Sequence, residues 1–431
     1  MDHLLYFSNV SPKHPFWEKI YPKVGKASQF YIDIAKRLGI NRFITRNEGE
    51  WSAPWSQQIP DQFKMLPYDP NFKKTYEEVT DEQALTIKLG IQQGKKYGVM
   101  YSGGMDSTCV AVALMKNLTP KELESVVICA SVHSRIENPN FWRNHIHGKF
   151  KTLDSNRYLY DDYINMGYTP IISDEGDCIF GTAIGLQLYY NYDYYVSLQH
   201  PAVQNNLMKL KYKISDGNVH YSKYKDILIR YFSYDDTDKG LEFGKLLYEK
   251  YHHNILTSKM PVNSLHDFFW WLIFNVKYLN CSIRSAIYYN ITMPAKQCID
   301  NTVNWFNSPG YQYWSMANNN NGMKIQNTHA TYKYAQRKYI YDFDKNDWYF
   351  KFKTKLESLG NLNFNHEGKN DTVKRFSGSI IGMNDKYEYL CIEIFHSIEN
   401  VPYTGVYHYS PEITNFFEES LFNYKLDWLN D

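Results

Sequence analysis

The sequence predicts an α/β fold built on a doubly wound, mostly parallel sheet. Three consecutive segments carry this prediction: a short strand at Tyr97–Tyr101, a buried helix at Thr108–Leu118, and a second strand at Ser125–Val132. A strand, a helix and a strand in this order form a βαβ unit, whose two strands lie parallel in one sheet. The second strand is apolar at nearly every position, which is typical of strands that are buried on both faces.

Other elements can be predicted around this unit. Thr80-Asp81-Glu82-Gln83 has the pattern of a capping box and predicts a helix that begins after Thr80. Thr169–Ser173 is predicted to be a third strand. Ser264–Tyr289 is predicted to be a helix, and its segment Phe268–Phe274 is apolar all round, which indicates burial within the domain.

The chain has room for two or three domains, because 431 residues exceed the about 100–200 residues of a typical domain. We interpret residues 1–79 as an irregular and partly helical N-terminal segment. Residues 80–345 form the predicted α/β domain with its helical additions, and residues 346–431 a small α+β C-terminal appendage. In the appendage, Asn384-Asp385 separates two strand-like runs within Phe376–Phe395, which predicts a β-hairpin.

Composition excludes several classes of protein. The 47 lysines and arginines balance the 46 aspartates and glutamates, which argues against a large basic surface for nucleic acid. The six cysteines are scattered without a CxxC pair, so neither a disulfide framework nor a cysteine zinc site is expected. The longest apolar run, Phe268–Val276, is far shorter than the about 20 residues of a membrane span, and no signal peptide is recognised. We expect a reduced, cytoplasmic protein with no membrane partner.

A glycine-rich turn between the first strand and its helix carries the strongest functional signal. Glycines let the backbone approach an anion closely, and the N-terminus of the following helix offers unpaired N–H groups and a positive dipole end. An aspartate in such a turn is suited to hold Mg²⁺ against phosphate oxygens. The pattern is not the Walker P-loop, because GxxxxGK[ST] is absent. The turn consists of Ser102, Gly103, Gly104, Met105, Asp106 and Ser107.

The turn resembles the PP-loop of the ATP pyrophosphatases, a family that includes asparagine synthetase, GMP synthetase, NAD synthetase and several tRNA-modifying enzymes. The resemblance implies an adenine nucleotide alpha-hydrolase-like fold and cleavage of ATP between its α and β phosphates, with transfer of AMP to a substrate oxygen. It also implies Mg²⁺ on Asp106, and it makes Tyr101 and Val132, at the ends of two strands, candidates for lining the adenine pocket. The implied phosphate-binding residues are Ser102, Gly103, Gly104, Asp106 and Ser107.

A second stretch, Ile172–Gly181, resembles the asparagine synthetase signature SGEGxDExFGG. It departs from the signature in two ways: Asp177 follows Gly176 directly, one residue early, and Thr182 replaces the last glycine. The resemblance implies that Glu175 helps incoming ammonia to lose its proton and that Asp177 helps to hold Mg²⁺ and pyrophosphate. The alternative for these acidic residues is a solvated turn at the end of a strand.

A third stretch, Lys333-Tyr334-Ala335-Gln336-Arg337, resembles the KxxLR segment of asparagine synthetases, with Gln336 in place of leucine. The resemblance implies that Lys333 contacts the phosphates and offsets the charge of the leaving pyrophosphate, a kind of stabilisation that is usually a large catalytic term. Arg337 lies one helical turn later on the same face and is a further candidate for binding ATP. The alternative is a pair of surface cations on an amphipathic helix.

Together these stretches predict an ATP-dependent carbon–nitrogen ligase of the asparagine synthetase type. The ligase would adenylate a carboxylate, aspartate or a similar acid, and form an amide with ammonia or an amine while AMP and pyrophosphate are released. The family's N-terminal glutaminase domain begins with cysteine, but position 2 is Asp2 and the first cysteine is Cys109. Nitrogen is therefore expected from free ammonia, a separate glutaminase or another amine. Similar shortened sequences occur in large tailed bacteriophages, which would place the protein in the host cytoplasm.

Two alternatives remain beside the ligase. One is another PP-loop activity, such as adenylation of a nucleobase or a tRNA position, although the neutral charge and the missing cysteine cluster weigh against it. The other is a catalytically silent ATP-binding module that acts through interactions. The shortened turn between Glu175 and Asp177 favours the silent module somewhat.

Overall fold

A computed structural model describes most of the predicted α/β domain and a few residues outside it. The predicted turn at Asn384-Asp385 and residues 279–280 and 283–289 of the predicted long helix lie outside the described residues. The domain boundaries at 79/80 and 345/346 stay predictions. The described residues are 3–7, 46, 61–155, 158, 160–181, 219–232, 238–258, 260–278, 281–282, 295–317, 333–346, 349–350 and 392–396.

A five-stranded parallel sheet lies at the centre of the described structure and is flanked by helices, which confirms the α/β class. The strand order is β4-β3-β2-β5-β6, and every neighbouring pair is parallel. Two other strands, β1 and β7, form a separate antiparallel pair that joins segments near the two ends of the chain. The strands are β1 (His3–Phe7), β2 (Lys96–Tyr101), β3 (Val126–Ala130), β4 (Lys151–Asp154), β5 (Tyr168–Ile172), β6 (Val303–Asn304) and β7 (Ile392–His396).

Helices connect and cover these strands. None of those in the described ranges is both long enough and apolar enough to cross a membrane. The α-helices are α1 (Tyr76–Gln92), α2 (Met105–Asn117), α3 (Pro120–Leu123), α4 (Val132–Glu137), α5 (Pro139–Phe141), α6 (Tyr160–Asn165), α7 (Gly176–Phe180), α8 (Lys225–Phe232), α9 (Asp238–Ser258), α10 (Leu265–Leu272), α11 (Ala295–Asp300), α12 (Pro309–Ala317) and α13 (Tyr334–Asp344).

Helix α1 begins before the predicted Thr80. Thr75 is its N-cap: the Thr75 hydroxyl accepts the N–H of Glu78 at 3.2 Å, and the Glu78 carboxylate accepts the N–H of Thr75 at 2.7 Å. Thr80 lies inside the helix, where its hydroxyl donates to the Tyr76 carbonyl at 2.6 Å. The predicted box at Thr80 is therefore wrong. Two such patterns follow each other in the sequence, and the earlier start buries Tyr76 in the core.

The βαβ unit is confirmed, with corrected boundaries. Helix α2 begins at Met105 rather than Thr108, because Gly104 has extended backbone angles and serves as the N-cap. Strand β3 ends at Ala130, two residues before the predicted Val132. Ser131 then caps α4 by accepting the N–H of Ser134 at 3.1 Å, so that Val132 is the first residue of a helix and not the end of a strand.

The predicted helix at Ser264 is also confirmed in its described part. The Ser264 hydroxyl accepts the N–H of Asp267 at 3.1 Å, and the Asp267 carboxylate accepts the N–H of Ser264 at 2.8 Å. The segment from Phe268 to Trp271 is buried on all sides, as its sequence predicts. After Leu272 the helix widens into a π-helical turn over Ile273–Lys277.

The sheet order places a switch point beside β2. The chain leaves β2 for β3 on one side, and β5 lies on the other side of β2. In open α/β sheets, ligands bind in the crevice at the carboxyl ends of the strands where the order reverses. The glycine-rich turn follows β2 and the acidic turn follows β5, so both motifs lie at that crevice.

Candidate functional site

The glycine-rich turn is tightly packed and braced by its own serines. Gly103 has a φ of +77°, and a Cβ at this position would lie 2.2 Å from the carbonyl oxygen of Ser134. Only glycine fits both the left-handed backbone and this close approach. The hydroxyls of Ser102 and Ser107 are 3.1 Å apart, and the Ser107 hydroxyl donates to the Gly104 carbonyl at 3.3 Å. The turn is therefore held in shape before any ligand binds.

The N-terminus of α2 faces the same turn. Its N-cap, Gly104, has no side chain that could bond to the N–H groups of the first turn, so these groups stay available to an anion. Asp106 also lies in this first turn. A carboxylate close to a bound phosphate would repel it unless a cation lies between them. A phosphate bound at this turn would therefore need positive charge nearby.

Lys333 supplies that positive charge. Its Nζ lies 2.5 Å from Asp106 Oδ1 and 2.7 Å from Asp177 Oδ1, so one ammonium bridges two carboxylates. The Lys333 side chain is 1% exposed, whereas the two aspartate side chains are 20% and 25% exposed. The bridge thus joins a buried cation to acids that reach the crevice. It brings together three elements that are far apart in sequence: α2, α7 and the residue that precedes α13.

The backbone of Lys333 is itself unusual. Its φ of 55° and ψ of 40° lie in the left-handed region, which costs a non-glycine residue about 1–2 kcal/mol. Such conformations persist where the surrounding contacts determine them, often at functional sites. The contacts here are the bridge to Asp106 and Asp177 and the packing of α13 against α2.

Gly176 is a site residue that sequence reasoning missed. A Cβ at Gly176 would lie 2.1 Å from Asp106 Oδ1 and 2.4 Å from Asp106 Cγ. The acidic turn and the glycine-rich turn therefore touch at this point, where only a hydrogen atom fits. The Glu-Gly pair of the motif contains the signal, since a glycine that begins a short helix suggests a close approach by another group.

Glu175 is fully buried. It is 0% exposed, and neither of its carboxylate oxygens has a hydrogen-bond partner within the described part of the chain. Ser282, whose side chain lies near Glu175, donates its hydroxyl to the Tyr278 carbonyl at 3.0 Å. Burial raises the pKa of Glu175 well above the usual range of a glutamic acid, and the charge of Asp174 raises it further. The alternative of a solvated turn is thus wrong for this residue.

Arg337 is buried as well, so the alternative of two surface cations is wrong. Both Lys333 and Arg337 are at most 1% exposed. The Arg337 guanidinium donates to the carbonyls of Phe350 at 2.9 Å and Tyr349 at 3.4 Å. These contacts tie the chain after α13 back onto the helix, and a role of Arg337 in binding ATP stays a prediction.

The two candidates for the adenine pocket lie at the end of β2 and just after β3. Tyr101 is 2% exposed, and its ring centroid lies 6.0 Å from that of Trp142. The guanidinium of Arg135 lies 5.0 Å from the centre of the Trp142 ring. Val132 begins α4 beside this group, but its side chain lies outside the described part of the structure. Sequence reasoning missed Trp142, because a single aromatic residue in a short helix gives no pattern.

The acids of the site fit a divalent cation that is shared with phosphate. Among the described residues, no three histidines, cysteines, aspartates or glutamates cluster as a complete metal site. However, Asp106 and Asp177 converge on a single cationic atom. Mg²⁺ is commonly held by one or two carboxylates together with substrate phosphates rather than by a protein cage. The donor set therefore fits Mg²⁺ only in combination with a phosphate ligand.

Comparisons with protein-family models, with curated proteins and with solved structures give no match for this chain. The function is therefore argued from the geometry and chemistry of the site.

Proposed function

We propose that the chain is an ATP-dependent ligase that adenylates a carboxylate and then forms an amide. The observation that carries the proposal is the bridge from Asp106 through Lys333 to Asp177, next to a glycine-rich turn at the switch point of a parallel sheet. These are the residues that the resemblance to asparagine synthetases singles out. The same resemblance suggests an adenine nucleotide alpha-hydrolase-like fold.

The glycine-rich turn would bind the β and γ phosphates of ATP. The free N–H groups of α2 and the hydroxyls of Ser102 and Ser107 are donors suited to phosphate oxygens. Asp106 and Asp177 would hold Mg²⁺, which when bound supplies positive charge between the phosphates and the two carboxylates. Tyr101, the last residue of β2, and Val132, the first residue of the helix that follows β3, would line the adenine pocket.

Adenylation needs little covalent chemistry from the protein. An oxygen of the substrate carboxylate attacks the α-phosphorus, the bond from that phosphorus to the bridging oxygen breaks, and pyrophosphate leaves. Lys333 is already held at the two acids, where its ammonium can offset the charge that develops on the leaving pyrophosphate. The product is an acyl-adenylate, whose carbonyl carbon is electrophilic.

Glu175 would serve the second step. Ammonia or an amine attacks the carbonyl carbon, a proton passes from the nitrogen to the Glu175 carboxylate, and AMP leaves. A buried carboxylate binds a proton more strongly than a solvated one, and the raised pKa of Glu175 suits a base in this step. The position of Glu175 between β5 and Asp177 places it close to the bridge.

The experiment that tests this function measures release of pyrophosphate and AMP from ATP and Mg²⁺ by the purified protein. Ammonium and a panel of carboxylic acids beginning with aspartate are added in turn. We expect pyrophosphate and AMP in equal amounts with one acid or a small group of acids, and loss of both products in Asp106→Ala. Asp342→Ala changes an exposed aspartate on α13 and should keep the activity. ATP binding without turnover for any acid would favour a silent binding module instead.

A further inference from the structure

Gln336 lies at the site where the resembled motif has leucine. It belongs to the first turn of α13 and is 0% exposed. Its Nε2 donates to Asp106 Oδ1 at 3.0 Å and to the Met105 carbonyl at 3.5 Å. Its Oε1 is buried and has no hydrogen-bond partner among the described residues. We propose that Gln336 is a positioning residue that fixes the carboxylate of Asp106 against Lys333.

Packing alone does not explain a glutamine at this place. A buried amide loses its hydrogen bonds to water, and here one of its polar atoms stays without a replacement. Leucine would fill a similar volume without that cost. The contact that compensates is the hydrogen bond to the ionised carboxylate of Asp106, because bonds to charged groups are about twice as strong as neutral ones.

The direction of these bonds defines what Gln336 does. Lys333 and Gln336 both donate to the same oxygen, Oδ1 of Asp106. Lys333 does so from the residue before α13, and Gln336 from the first turn of that helix. Their hydrogen bonds fix the orientation of the carboxylate and occupy Oδ1. Among the described contacts both donors use Oδ1, and Oδ2 is the oxygen of this partly exposed side chain that a ligand would approach. Gln336 would therefore govern how well Asp106 holds a divalent cation, a consequence that rests on the proposed function.

A double-mutant cycle in the full chain tests the contact without any ligand. Gln336→Met removes the amide at nearly constant volume, and it is combined with Asp106→Ala. We expect Gln336→Met to destabilise the chain and raise its unfolding equilibrium constant by roughly tenfold in the wild-type background, and by much less in the Asp106→Ala background. Gln312→Met is the control: Gln312 is also buried but bonds to Arg46 and Asn307 rather than to Asp106, so its effect should be the same in both backgrounds.

A second measurement separates positioning from mere stabilisation. The Mg²⁺ concentration that gives half-maximal ATP binding is determined for the wild type, Gln336→Met and Gln312→Met. We expect an increase of roughly tenfold for Gln336→Met and no change for Gln312→Met, while ATP affinity at saturating Mg²⁺ is less affected.

The outcomes distinguish the inference from the proposed function. Equal effects of Gln336→Met in both backgrounds would overturn the inference whether or not the protein is a ligase. Coupling in the cycle with an unchanged Mg²⁺ requirement would show that Gln336 only stabilises the fold, and it would overturn the positioning role. Failure of the wild type to bind ATP would refute the proposed function, and the cycle alone would then decide whether Gln336 holds Asp106.

Discussion

Gly176 packs directly against the carboxylate of Asp106, where a Cβ would lie 2.1 Å from Oδ1. The contact joins the turn after β2 to the turn after β5 at the switch point of the sheet. It also explains how Asp177, the next residue, comes within reach of the same lysine that binds Asp106. The bridge therefore requires glycine at position 176, because any side chain there would collide with Asp106.

The first prediction follows from this contact. Gly176→Ala should displace Asp106, lower the free energy of unfolding by about 1–3 kcal/mol, and weaken ATP binding at least tenfold. Gly310→Ala is a suitable control, because a Cβ there would meet Val79 at 3.3 Å and Ser308 Oγ at 3.9 Å rather than a residue of the bridge. Urea unfolding and ATP titration measure the two effects. Equal ATP affinities for the two variants would contradict the role of the contact.

The second prediction concerns Lys333. Lys333→Met leaves Asp106 and Asp177 facing each other without their cation, and it removes the charge that offsets the leaving pyrophosphate. We expect kcat to fall about 100–1000-fold, as it does when a main electrostatic donor is removed from an active site. Lys338→Met removes an exposed lysine from α13, the helix that follows Lys333, and its kcat should stay near that of the wild type. Pyrophosphate release under saturating ATP measures both, and similar kcat values would refute the assigned role.

The third prediction separates the two half-reactions. Glu175→Gln should keep the exchange of labelled pyrophosphate into ATP, which reports adenylation alone. It should reduce amide formation about 100-fold or more, because the base for the second step is lost. Glutamine keeps the shape of the buried side chain and removes its carboxylate. Loss of both reactions to the same degree would argue against a role confined to the second step.

The fourth prediction uses pH and a residue away from the bridge. Lys250 on α9 is 4% exposed, and burial lowers its pKa to about 8 from the ordinary 10.5. The folded state therefore binds its proton less readily than the unfolded state. The contribution of Lys250 to stability is favourable above pH 10.5 and is lost as the pH falls through 8.

Lys250→Met should consequently stabilise the chain near pH 7, by about 1–3 kcal/mol, and the gain should shrink as the pH rises from 8 towards 10.5. Urea unfolding at pH 7, 8, 9 and 10 measures this dependence. Lys245→Met on the same helix changes an exposed lysine and should show no such trend. A gain that is independent of pH would contradict the depressed pKa.

Local patterns in the sequence predicted the core of the fold, because their causes are local. The apolar run of β3 and the glycines after β2 determine a buried strand and a turn whatever surrounds them. Strands β4 and β6 were not predicted from the sequence. Lys151–Asp154 is a partly exposed edge strand without an apolar run, and β6 has only two residues, so both depend on their neighbours in the sheet.

The same difference between local sequence patterns and contacts made only in the folded chain applies to the site. The motif residues Asp106, Asp177 and Lys333 were predicted individually, but their bridge depends on three elements that meet only in the folded chain. The burial of Glu175 and the contact of Gly176 with Asp106 are likewise tertiary. Gln336 gave a signal only as a departure from the leucine of the resembled motif.

The central claim is that a carboxylate attacks the α-phosphorus of ATP at this site. The most direct test follows the oxygen: the carboxylic acid that supports pyrophosphate release is labelled with ¹⁸O, and the AMP product is examined by mass spectrometry. The acyl-adenylate route predicts one ¹⁸O atom in AMP, because the carboxylate oxygen that bonds to phosphorus stays there when the amine displaces AMP. AMP without the label would contradict adenylation of the acid and would require another acceptor for the AMP group.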